Sequence, residues 1–173
     1  MKEMLVMYAH YSKRADKSVA DLLSTLDIHT RNEGGKCYYG SIHGGFRHIY
    51  GSILYFQGVI RASMPSSAAY MGEIALSFPE EGDLDEGAFA SLCACLEKAD
   101  QGTIDFVASL SDNDLRVPVK LDWYSDRSTV PLYFFLNQIF VHGTHHRGQI
   151  SQILDELKIE HDFSSIDLEF LGE

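Results

Sequence analysis

At 173 residues the chain is most simply one domain with a single substantial core, spanning 1–173. A composition of 45% hydrophobic and 12% aromatic residues excludes a disordered chain. The formal net charge of -11, with no basic stripe, argues against nucleic-acid or anionic-membrane partners, because phosphate contacts need clustered Lys and Arg.

The N-terminal stretch "MKEMLVMYAHYSKRADKS" has an apolar run too short for a signal peptide or a membrane span. It opens a helix expected from Lys2 to Asp27, with Leu5, Tyr8, Ala9, Val19, Leu22, Leu23 and Leu26 as its apolar positions. The middle, "HYSKRADKS", is more polar than burial requires, so one face there meets water or a cavity. "NEGGK" then breaks the chain, since consecutive glycines favour turns.

A second helix is expected from Ser41 to Ala62, ending before Pro65. The linker "MPSSAAYMGEIALSFPEEG" is long for a compact domain and is a candidate to carry part of a site. The third helix opens at Asp83, with Glu86 completing a capping-box-like pair, and runs to Ser111. "LRVPVKLDWY" alternates as a short strand or hairpin does. The fourth helix starts near Pro131, with Ser128 and Thr129 as cap candidates, and reaches Leu157. The tail "FSSIDLEFLGE" reads as extended or as a short turn. Four amphipathic helices in one domain predict an all-α four-helix bundle.

Cys37, Cys93 and Cys95 have no CxxC spacing and an odd count, so they are read as free, small core thiols. A helix would turn Cys93 and Cys95 roughly 200° apart, which prevents joint chelation. Free thiols point to a reducing compartment, the cytoplasm.

"FVHGTHHRGQISQIL" places His142, His145 and His146 in a segment otherwise patterned for burial. At about 100° per residue, His142 and His146 share the stripe of Leu132, Phe135, Ile139, Ile150 and Ile153, while His145 falls on the flank about 120° away. Two imidazoles at i,i+4 can reach one ion, or can be hydrogen-bonded core histidines. On the second helix, "SIHGGFRHIYGSILYF" sets Gly44, Gly45, Gly51, Ser52 and Tyr55 near the azimuth of His48. These small residues leave room for an ion or substrate, or permit close helix contact. His43 lies some 140° from His48 and is read as a cap or surface residue. His10, His29 and His161 are read as solvated. Three inward histidines would make a three-histidine site with open positions for Zn²⁺, Ni²⁺ or Fe²⁺.

Through "SIHGGFRHIYG", "VHGTHHRGQISQIL", "FVASLSDNDL" and "IDLEFL", almost the whole chain resembles the DinB family, including its YfiT-like metal-dependent branch. The resemblance implies a four-helix bundle with a crossover connection, commonly a homodimer, holding a divalent metal with His48, His142 and His146. Gln149, one turn beyond His146, is either a support for a ligand or bound water or a helix-surface residue. The first helix departs from the pattern, reading "YAHYSKRADK" where relatives often carry a Trp.

Three functional classes follow: a metal-dependent hydrolase, a metal-dependent thiol transferase or isomerase using a low-molecular-weight thiol, and a non-catalytic stress-related protein whose ion is structural. No general base stands out. Tyr8 and Tyr55 can approach the site but read more simply as core or rim aromatics. No Asp or Glu sits on the histidine stripes, and this favours thiol chemistry, in which a metal-bound thiolate is already the nucleophile.

Overall fold

The computed structural model describes residues 1–33, 38–71, 85–121, 123 and 128–171. Four long helices carry the fold: α1 (Lys2–Thr25), α3 (Ile42–Ser63), α5 (Glu86–Ser109) and α6 (Leu132–Glu156). Short helices α2 (Ile28–Asn32), α4 (Ala68–Met71) and α7 (Leu168–Leu171) decorate the connections and the tail. Strands β1 (Pro118–Lys120) and β2 (Thr129–Pro131) form an antiparallel hairpin with Val119 opposite Val130. The short strand expected within residues 115–124 is present as β1, its partner β2 lying beyond that stretch, and no described helix is long and apolar enough to cross a membrane.

Helix α1 packs against α5 and α6, and α3 packs against the same two. The successive pairs α1/α3 and α5/α6 thus stand diagonally across the bundle, an arrangement that needs a crossover connection. It also makes α3 and α6 neighbours, which brings their histidines to one interface.

The core divides into two apolar ends. One contains Leu5, Ala9, Phe56, Ile60, Leu132, Phe135 and Phe140. The other contains Val19, Leu23, Ile42, Phe46, Ile49, Ile150 and Leu154. Each fully buried Leu, Ile or Phe contributes about 1.5–3 kcal/mol. Between the ends lies a polar layer in which Ser12, Asp16, Asp100, Thr103, His146 and Arg147 are all buried. This is the cavity-facing side expected of "HYSKRADKS".

Four local expectations are corrected. Helix α5 is capped by Asp85, whose side chain accepts from Ala88 N at 2.7 Å, not by Asp83, which lies outside the described residues. Glu86 sits one step inside the helix and pairs instead with the buried Arg31 of α2. Ser128 and Thr129 do not cap α6, because β2 runs straight into it and Leu132 N donates to Val117 O across the hairpin at 2.9 Å. Cys95 is exposed and Cys93 half-buried, so neither is a core thiol; Cys37 lies outside the described residues.

His43 is the fourth correction. It is 2% exposed, with Nδ1 2.7 Å from Asn32 Oδ1 and its ring tilted on Phe89. Ser41 takes the capping role, accepting from Gly44 N at 2.9 Å, and α2 closes over the His43 face. His10 and His29 are exposed as expected, whereas His161 is half-buried, with Nδ1 donating to Ile159 O.

Candidate metal centre

The site is built where α3 and α6 face each other. His48 comes from the second turn of α3, and His142 and His146 come from successive turns of α6. His48 Nε2 lies 3.1 Å from His146 Nε2, which lies 3.1 Å from His142 Nε2. All three ligating nitrogens fall within 4.8 Å of one another. Metal–nitrogen bonds of about 2.0–2.1 Å at tetrahedral angles separate ligand nitrogens by about 3.3 Å. The trio therefore fits a divalent ion by spacing.

Protonation agrees with spacing. Gln149 Oε1 lies 2.8 Å from His146 Nδ1, and Gln149 Nε2 lies 3.2 Å from His145 Nε2. The amide oxygen accepts the Nδ1 proton of His146, which leaves Nε2 a bare lone pair aimed at the other rings. Burial, reinforced by the neighbouring imidazoles, pushes His48 and His142 down to about 4. Burial lowers His146 as well, against the opposing effect of the Gln149 hydrogen bond. At neutral pH the three rings are uncharged, the state a metal requires.

Of three neighbours of the trio, the sequence reading placed Ser52 beside His48 only as a small residue leaving room, and it did not name Tyr39 or Trp123 at all. Ser52, one turn beyond His48, places Oγ 3.1 Å from His48 Nε2 and 3.0 Å from His142 Nε2. Its i,i+4 relation to His48 was visible in the chain, but its role depends on α6 lying opposite.

Tyr39 stacks on His48 at a centroid distance of 4.1 Å and meets His146 edge-on at 5.4 Å. Two glycines put it there. Gly40 has φ +79, a region open to glycine. A Cβ on Gly44 would lie 2.0 Å from Tyr39 O, so glycine is what lets the turn approach α3. Gly45 is an ordinary packing glycine, its absent Cβ 3.4 Å from Ile150 Cγ1.

Trp123 is the third neighbour. With Gly51, Ser52, Tyr55, Phe56 and Gln138 it lines an open pocket of ≈ 860 Å³ whose wall includes His48 and His142. Its ring lies 5.7 Å from that of Tyr55. Tyr8 does not approach the trio and stacks on Phe140 at 6.0 Å. The described part of the 64–82 linker, including Pro65–Ser67 and α4, adds no residue to the trio or this pocket.

On the opposite side of α6, Arg147 Nη1 donates to Asp16 Oδ1 at 2.9 Å with both side chains buried. Its Nη2 donates to Thr144 Oγ1 at 3.1 Å. This pair ties α6 to α1 and holds the rotation that keeps His142 and His146 facing α3.

The DinB family model matches residues 1–158, and the chain belongs to the DinB family. No curated protein and no solved structure gives a significant match.

Proposed function

We propose that this DinB-family protein is a metal-dependent enzyme of the thiol-transferase or hydrolase type, with His48, His142 and His146 holding one divalent ion. The observation that carries this reading is that two of the three rings, His48 and His142, form part of the wall of the open ≈ 860 Å³ pocket, with His146 buried behind them. A purely structural ion is best served by a closed shell of protein ligands, whereas a catalytic one needs an accessible side. Bound there, Zn²⁺, Ni²⁺ or Fe²⁺ would supply Lewis acidity, lowering the pKa of a water or thiol that joins it.

The chain's own residues have distinct tasks. Gln149 holds the proton on His146 Nδ1 and so keeps Nε2 available. Ser52 Oγ, within hydrogen-bond reach of two ligand nitrogens, is placed to donate to a polar atom of the substrate. Tyr39 covers the face of His48 and limits water on that side. Tyr55, Phe56 and Trp123 offer apolar surface to the substrate body.

Among the described residues no carboxylate lines this pocket, which supports the thiol reading over hydrolysis: a thiolate needs no carboxylate base to become a nucleophile. The partners in this reading are a small-molecule substrate, a low-molecular-weight thiol and a second copy of the chain as homodimer. The test is a cobalt-substituted sample titrated with low-molecular-weight thiols and followed by its visible absorption. A saturable change in the spectrum is expected. A spectrum indifferent to every thiol, together with turnover of ester or amide substrates, would transfer the reading to hydrolysis; indifference without any turnover would favour a structural ion.

A further inference from the structure

Four carboxylates line the groove between α1 and α5: Asp16, Asp21, Glu97 and Asp100. Three have a cation of their own. Asp21 holds Lys17 Nζ at 2.7 and 2.6 Å, Glu97 lies 3.9 Å from Lys13 Nζ, and Asp16 Oδ1 accepts from Arg147. Asp100 is the exception. It is 5% exposed, and among the described residues no donor is hydrogen-bonded to it.

Asp100 and Asp16 also share the wall of a small interior cavity beside Ser12, whose buried Oγ has no hydrogen-bond partner among the described residues. The groove, open to solvent at its mouth, offers a volume of ≈ 250 Å³, and Ala20, Ala94 and Leu96 give it apolar sides. Burial, and then the charge of Asp16, push the Asp100 carboxyl well above the usual carboxylate range. Arg147 and Lys13 pull the other way, but neither is hydrogen-bonded to it. A buried carboxylate without a directly bonded counter-charge is unfavourable, so it either keeps a proton or takes up a cation.

We propose that this groove binds a compact primary alkylammonium ion, with its N–H groups on the Asp100 carboxylate and the Asp16 oxygen that Arg147 leaves unused. Its short alkyl chain lies along Ala20, Ala94 and Leu96. Charge and size both select this class. One unmatched negative charge calls for a monocation, and a second positive charge on the ligand would meet Lys13 and Lys17 at the rim. Among the described residues the histidine trio is the only group of three or more ligating atoms close enough for a metal. A bare metal ion therefore lacks its short contacts in the groove, whereas an ammonium reaches acceptors at about 2.7–2.9 Å through directional N–H bonds. The site lies on the α1/α5 side of the bundle and does not depend on the reading of the metal centre.

The test is a titration of the full chain with n-butylammonium, followed by the amide resonances of Ala20, Ala94 and Leu96. Saturable shifts are expected, with tetramethylammonium, which has no N–H donor, and 1-butanol, which has no charge, producing none. Asp100→Asn is expected to abolish the shifts. Ala94→Leu, which fills the apolar wall without touching the buried charges, is expected to weaken them severalfold and serves if Asp100→Asn fails to fold. Shifts that do not saturate, that tetramethylammonium reproduces, or that persist undiminished in both variants would overturn the site and leave Asp100 as a protonated core residue.

Discussion

Gln149 Oε1 and His146 Nδ1 are 2.8 Å apart, and this contact decides which nitrogen of the ring carries the proton. Without it the ring is free to place its proton on Nε2, where a metal must bind. Gln149→Leu is expected to weaken metal affinity about 10–100-fold, the usual effect of losing such a support. Gln149→Glu, which keeps an acceptor at that place, is expected to retain most of it. Competition against a coloured chelator measures both.

Replacing His146 with Ala removes the nitrogen shared by both 3.1 Å contacts. Elemental analysis should find the metal content at background. At a free metal concentration of a hundred times Kd, binding stabilises a protein by about 2.7 kcal/mol. Chelation should therefore lower the melting temperature of the wild type and leave His146→Ala unchanged; a fully metallated variant would refute the ligand assignment.

Two glycines of α3 should respond oppositely to the same substitution. Gly58→Ala meets nothing within 4 Å and is expected to stabilise by about 0.5–1 kcal/mol, the helix-propensity gain over glycine. Gly44→Ala drives its Cβ against the Tyr39 carbonyl, and backbone cannot yield cheaply. A loss of about 1–3 kcal/mol is expected, together with faster removal of metal by chelator as Tyr39 lifts from His48. Denaturant melts and stopped-flow chelation separate the two effects.

The metal-free protein should lose stability in mild acid. His48 and His142 titrate near 4 in the folded chain against 6.5 for an ordinary histidine, so the folded state binds fewer protons. Their contribution is complete above pH 6.5 and is lost as pH falls from there towards about 4. Urea midpoints measured across that window should decline more steeply for the wild type than for His48→Gln/His142→Gln.

Arg147→Met strands the Asp16 carboxylate, which burial already pushes up against the opposing pull of Arg147. Breaking such a buried pair costs about 3–5 kcal/mol. The double variant Asp16→Asn/Arg147→Met should recover part of the loss in equilibrium unfolding, because no buried charge is then left alone.

The phase of each helix was legible in the chain. Ile42, Ile49, Ile53, Phe56 and Ile60 mark the buried side of α3, and Leu132, Phe135, Ile139, Ile150 and Ile153 mark that of α6; all ten are buried. That phase follows from hydrogen bonds within a few residues, so it set His142 and His146 inward and His145 outward. His43 escaped the same reasoning, because α2, a separate five-residue helix, covers the face that periodicity assigns to solvent.

Sequence alone thus determined which side chains each rod presents and in what register along its own axis. Only the tertiary structure decided which rods face each other: α3 against α6, so that His48 meets His146 across 98 positions, and α1 against α6, so that Asp16 meets Arg147 across 131 positions. It also decided that Tyr39 lies over the trio, through a backbone approach that Gly44 permits. The division is physical: azimuth is local, set by the 3.6-residue repeat, whereas the rotation and neighbours of whole helices come from non-local packing.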